Sequence, residues 1–215
     1  MASYEVPGAE ARVEIRVSNS RFVATAAPVF SVEEARAFVA RIRAEFADAT
    51  HNVPVYLVGH GSSVVAHAHD DGEPSGTAGR PALAVLQGSG LGDVSVVVTR
   101  YFGGTKLGTG GLVRAYGDAV RAVLDVLPRA RRVQTHVAQM TVPYSLYEPA
   151  RGAIEAHDGL ILDQDFAAEV TIAARFPVRA FDAFQAALQE LSNGQVQAEI
   201  VERDQPALVP LGAAR

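Results

Sequence analysis

The chain has 215 residues, 48% of them hydrophobic, a composition that fits one large globular domain or two small ones. It has no cysteine, which excludes disulfides, thiolate zinc sites and cysteine nucleophiles, and no run near the roughly 20 apolar residues of a membrane span; Glu5 and Glu10 stand where a signal peptide would be basic and then apolar, so a cytoplasmic protein with no membrane partner is expected. The net charge of −5 is uneven: residues 1–137 hold 14 Lys/Arg against 13 Asp/Glu, whereas 138–203 hold 4 against 10, which leaves phosphate contacts to the first part.

Val13, Ile15 and Val17, then Phe22, Val23 and Thr25, predict two strands around a turn at Ser18-Asn19-Ser20-Arg21. Ser31 with Glu34 forms a capping-box pattern before a helix whose Phe38, Val39, Ile42 and Phe46 share one face. Two strand-like runs follow, Val53 to Val58 and Val64 to Ala68. After them come a glycine-rich segment over 70–81, a helix through Leu83, Val85 and Leu86, and the apolar strand Val94 to Thr99. A second glycine-rich segment then leads into a helix running from Leu112 to Leu127, with Pro128 at its end. Pro128 and the cluster Arg129, Arg131 and Arg132 read as a linker, which either meets RNA phosphate or is merely solvated. Beyond it the periodicities of Met140/Val142, Leu146 to Ala156, Leu160/Leu162, Val170/Ile172/Ala174, Phe181 to Leu191 and Val196/Ala198/Ile200 spell β-α-β-β-α-β, the ferredoxin-like order. The expected organisation is α+β, with a first domain over 12–132, a ferredoxin-like domain over 137–203 and a frayed tail over 204–215.

The chemistry is expected where the glycine-rich segments run from a strand into a helix, because glycines permit close approach and the first amides of a helix attract anions. Neither the P-loop nor the dinucleotide-binding pattern matches, which argues against a nucleoside triphosphatase or a dehydrogenase. What remains is a generic anion nest. Gly76, Thr77 and Gly79 would contribute from the first segment, and Arg100, Tyr101, Phe102, Gly103, Gly104, Lys106, Gly108, Gly110, Gly111 and Arg114 from the second. The same glycines equally suit a tight strand-to-helix connection. Asp70, Asp71 and Glu73 either hold a divalent metal or cap the following helix. His51 with His67 and His69 forms a loose histidine set that reads as zinc ligands or as half-exposed side chains. Ser75 and Thr77 lack a nucleophile elbow, so serine-hydrolase chemistry has little support. Tyr101 and Phe102 suit stacking on bases or contact with a peptide partner, although alternation on a strand end would send one of them into the core.

Four segments together carry a resemblance: Asn19-Ser20-Arg21-Phe22, Ala49-Thr50-His51-Asn52, the run from Asp70 to Pro81, and Arg100 through Gly103-Gly104 and Gly110-Gly111 to Tyr116. In these the chain resembles the IMPACT/YigZ family over residues 12–127, and its later block is similar to the second domain of the bacterial members. Val53-Pro54-Val55-Tyr56 replaces a stretch where relatives often have a cysteine and an aromatic, and His67-Ala68-His69 stands where Phe-Ser is common. The resemblance implies a first domain like the second domain of ribosomal protein S5 and a second like the last domain of elongation factor G. His51 and Asn52 are further candidate accessory site residues. A non-catalytic, translation-linked protein that binds RNA, the ribosome or a translation factor, with no cofactor, is therefore expected. The alternatives are a metal-dependent hydrolase or phosphoryl-handling enzyme built on Asp70, Asp71 and Glu73, and a module for a peptide or protein partner.

Overall fold

The computed structural model describes residues 4–210. In chain order the elements are β1 (Tyr4–Pro7), β2 (Ala11–Val17), β3 (Ser20–Pro28), α1 (Val32–Glu45), β4 (His51–Val58), β5 (Val65–Ala68), α2 (Gly79–Gly88), β6 (Val94–Tyr101), α3 (Gly108–Val126), β7 (Arg129–Val142), α4 (Tyr144–Ala156), β8 (Leu160–Phe166), β9 (Val170–Pro177), α5 (Val178–Leu191) and β10 (Glu199–Pro210). They fall into two compact units, one of residues 4–131 with 208–210 and one of residues 132–207.

In the N-terminal unit an antiparallel sheet has the order β2-β3-β6-β4-β5. The most apolar strand, β6, lies at its centre because both of its faces are covered. Val94, Val96 and Val98 join the core beneath α2 and α3, whereas Val97 joins the core beneath α1. Helix α1 starts at the predicted cap, with the Ser31 hydroxyl accepting from the Glu34 amide at 3.0 Å, while the Glu34 carboxylate reaches one residue further back and accepts from the Phe30 amide at 2.8 Å. Helix α3 buries Leu112, Ala115, Tyr116, Ala119, Val120, Val123 and Leu124 along one stripe.

The C-terminal unit has the β-α-β-β-α-β order expected, with β7 beside β9, β8 beyond it, and β10 on the other side of β7. Its core gathers Met140, Ile154, Ile172, Phe176, Phe184 and Leu188, with Phe176 and Phe184 stacked 4.2 Å apart. Asn193 adopts a left-handed φ of 51° after α5, as the Asn-Gly stop predicts.

Three features differ from the sequence expectation. Strand β1 lies upstream of the expected first domain and pairs with β7. The expected linker after Pro128 is the first part of β7, where Ala130 is buried between exposed Arg129 and Arg131, and Arg129 meets Glu5 at 3.0 Å. Residues 204–210 of the expected tail continue strand β10, and 211–215 lie outside the described residues. In each case a distant strand supplies backbone partners that local pattern does not reveal. Among the described residues no helix is long and apolar enough to cross a membrane.

Candidate functional site

Sheet register gathers the singled-out segments at one end of the N-terminal sheet. The first residues of β3 and β4 flank the last of β6, with Phe22 and His51 both opposite Arg100 and Arg21 opposite Tyr101. The two glycine-rich segments adjoin this end and lead into α2 and α3.

At the first junction a carboxylate of the chain itself meets the amides that lead into α2, down to the first helical residue, Gly79. The Asp70 carboxylate accepts from the amides of Gly76 at 2.8 Å, Ala78 at 3.2 Å and Gly79 at 2.8 Å. Burial works against this anion, but the three amides outweigh it and hold Asp70 below the usual carboxylate range. Asp71 is engaged elsewhere, accepting from Arg43 at 2.5 Å and from the Asn52 amide at 2.6 Å. Thr77 donates to the Pro74 carbonyl, and a Cβ on Gly79 would lie 2.9 Å from the His69 backbone, so this glycine lets α2 pack on the end of β5. Gly76, at a positive φ of 76°, and Gly79 therefore direct their amides to the chain's own Asp70, which fills the place of an external anion, while Thr77 locks the turn. Asp70, Asp71 and Glu73 each turn to different donors, and among the described residues no group of three His, Cys, Asp or Glu side chains is placed to hold a metal ion.

Glu73 ties the first segment to the second. Its buried carboxylate accepts from Arg100 Nη1 at 2.6 Å and from the Tyr116 hydroxyl at 2.8 Å, with His51 Nε2 at 3.7 Å. Burial, followed by the Glu73 charge, pushes the Tyr116 hydroxyl far above its usual range, which keeps it a proton donor to Glu73. Arg100 is 5% exposed and also donates to Ser20 Oγ at 3.3 Å, so its charge serves this inner pair and not a surface anion. Gly103 fits here because a Cβ would lie 1.9 Å from the Asn19 carbonyl oxygen, and its amide donates to Ser20 Oγ. Asn52, buried and accepting from Thr99 at 2.7 Å, braces β4 against β6.

The histidines divide by strand parity. His51 lies on the α2/α3 side, with its Nδ1 2.8 Å from the Asp71 carbonyl, whereas His67 and His69 line a cavity on the α1 side. The three do not form one ligand set.

The second junction is open. Gly104, Lys106, Gly108, Thr109, Gly110 and Arg114 are exposed, the Leu107 side chain at the N-cap makes no capping bond, among the described residues no other side chain accepts from the first amides of α3, and its first turn holds no acid. Gly104 and Gly108 adopt positive φ of 83° and 70°, while a Cβ on Gly110 would meet nothing within 4 Å, and one on Gly111 would press on the Leu107 side chain. Phe102 is 45% exposed. Tyr101 is half-buried, donates to Asp48 at 2.8 Å and lies 4.2 Å beneath the Arg21 guanidinium. Neither aromatic enters the core, contrary to the alternation argument, because the strand ends at Tyr101.

The Impact N-terminal domain model matches residues 18–124, and a domain of unknown function, DUF1949, matches 140–195. The chain is 37% identical over 203 residues to the IMPACT family member YigZ of Escherichia coli, covering 94% of this chain and 100% of that one. The chain belongs to the IMPACT family. Other similar members are IMPACT family member YvyE of Bacillus subtilis, 35% identical over 85% of this chain and 83% of that one, and one from Haemophilus influenzae, 36% identical over 94% and 98%. A solved structure titled as a crystal structure of an hypothetical protein aligns with a TM-score of 0.62 and 37% identity, covering 94% of this chain and 98% of that one. In this IMPACT-family protein, Ser20, Thr50 and Tyr116 complete the site although chemical pattern did not select them. Ser20 accepts from Arg100 and Gly103, Thr50 accepts from the Phe102 amide at 3.0 Å, and Tyr116 caps Glu73. The turn around Ser20 and the helical stripe that includes Tyr116 were legible, but a role at this site was signalled by membership of the segments that carry the family resemblance.

Proposed function

We propose that this IMPACT-family protein is a non-catalytic, translation-linked protein of the cytoplasm that binds RNA, ribosomal RNA included, through the open start of α3. The amides of Gly108 to Gly111 contact phosphate, Lys106 and Arg114 supply charge, and Phe102 offers a face for stacking. The observation that carries this reading is the contrast between the junctions: Asp70 fills the start of α2, whereas the start of α3 is uncapped, exposed and free of acids. Gly110 adds support, because neither backbone angle nor packing demands a glycine there, while close approach of a ligand would. The metal-dependent alternative loses its footing, since its three carboxylates are committed to protein donors.

The test is RNA binding and ribosome co-sedimentation across a salt series. Lys106→Glu with Arg114→Glu should weaken binding about tenfold or more and reduce the log–log salt slope by roughly 1.4 to 1.8, as for two lost phosphate contacts. Gly110→Ala should raise the melting temperature slightly while lowering RNA affinity. Unchanged affinity and slope in the charge-reversed protein would overturn the reading, and a partner that survives nuclease treatment would assign the surface to protein recognition.

A further inference from the structure

On the sheet face covered by α1, opposite the open junction, a cavity of about 430 Å³ lies between α1 and the edge formed by β4 and β5. Its size falls within the range of small-molecule sites. Arg36 and Arg43 line it from α1, His67 from β5 and His69 from just beyond that strand, over a floor that includes Pro54 and Tyr56 of β4. Among these lining residues there is no carboxylate. Asp71 meets Arg43 at 2.5 Å, but among the described residues Arg36 has no acidic partner. His69 Nδ1 accepts from the Asp71 amide at 2.9 Å, which leaves the ring proton of neutral His69 on Nε2 as a donor. His67, opposite Tyr56 across the two strands, stacks on it with centroids 4.7 Å apart and planes 18° from parallel.

We propose that this cavity binds a small phosphate monoester, its anion held by Arg36, His67 and His69, with a planar ring, where the ester carries one, lying against the Tyr56–His67 stack. Arg and imidazole donors converging from two elements suit an oxyanion with several acceptor atoms. The local field has the required sign. Burial, then the charges of His69, Arg36 and Arg43, push the His67 imidazole below its usual range, so a bound dianion would relieve that repulsion and raise it.

The experiment titrates the full chain with adenosine monophosphate, inorganic phosphate and adenosine, by calorimetry and by NMR of the His67 and His69 rings. Both phosphates should bind saturably and shift the two rings, with adenosine at least about tenfold weaker than its monophosphate. Arg36→Ala with His67→Ala should weaken both about tenfold or more while preserving the far-UV circular dichroism spectrum. Monophosphate tighter than phosphate would point to a nucleotide-like ester, and equal affinities to free phosphate as the source. Sulfate, a dianion throughout, should bind more tightly at about pH 5.5 than at about pH 8 as the bound dianion favours the protonated His67 imidazole. Absence of saturable phosphate binding, equal binding by the double variant, or adenosine binding as tightly as its monophosphate would overturn the assignment.

Discussion

Glu73 shows how one residue organises the site. A carboxylate with a side chain 3% exposed is tolerable only because Arg100 and Tyr116 both donate to it, and Arg100 is tolerable only because Glu73 and Ser20 receive it. Such a pair adds little net stability compared with an apolar replacement, but breaking it strands a buried charge. Glu73→Ala should therefore destabilise the N-terminal unit by about 3–5 kcal/mol in urea unfolding, and Glu73→Gln, which keeps an acceptor, by less. A loss below about 1 kcal/mol for the alanine variant would mean that Arg100 finds another partner or water on unlocking. The acid at this position was visible in the sequence as one of three candidate carboxylates, but its commitment to Arg100, 27 residues away, was not. Only the register of β6 against β3 and β4 brings the guanidinium there.

At the scale of elements, two helices begin after glycine-rich segments and differ in what meets their first amides. Helix α2 is capped from outside its own sequence by Asp70, nine residues before Gly79, so Asp70→Ala should destabilise the protein by about 1–2 kcal/mol near neutral pH. The pH dependence has a definite sign. Because the folded state holds the Asp70 pKa below its ordinary value, its contribution is complete above the ordinary carboxylate range and disappears as pH falls through the depressed value. Denaturation midpoints of wild type and Asp70→Ala should therefore converge in acid; a gap that stays constant to low pH would show that the carboxylate charge is not what caps α2. Helix α3, by contrast, begins at Gly108 with no cap, and the proposed RNA contact rests on that difference. Most element types were legible: the Ser31/Glu34 box, the valines of β6 and the stripe of α3 all followed from local pattern. Strand β1 and the beginning and end of the last sheet's long strands were not, because β7 and β10 are specified by pairing with each other and with distant strands.

For the molecule as a whole, charge is divided between its parts, with the excess of acids over bases lying in residues 138–203. Under the proposed function these acids oppose RNA through long-range repulsion, so replacing Asp163, Asp165 and Glu169 by their amides should strengthen RNA binding about two- to threefold at low salt, with the gain vanishing as salt rises. An equal gain at all salt concentrations would point instead to a direct contact. Family, fold class, the β-α-β-β-α-β order and the two glycine-rich junctions could all be read from the one-dimensional chain, because periodicity, turn residues and long signature segments are local properties. Folding settled which junction stays open, which arginine is spent inside, and that His67 and His69 face a cavity with Arg36 while His51 turns to the opposite side. Those outcomes depend on strand register and on hydrogen-bond partners that meet only when the sheet forms, and no spacing along the chain encodes them directly.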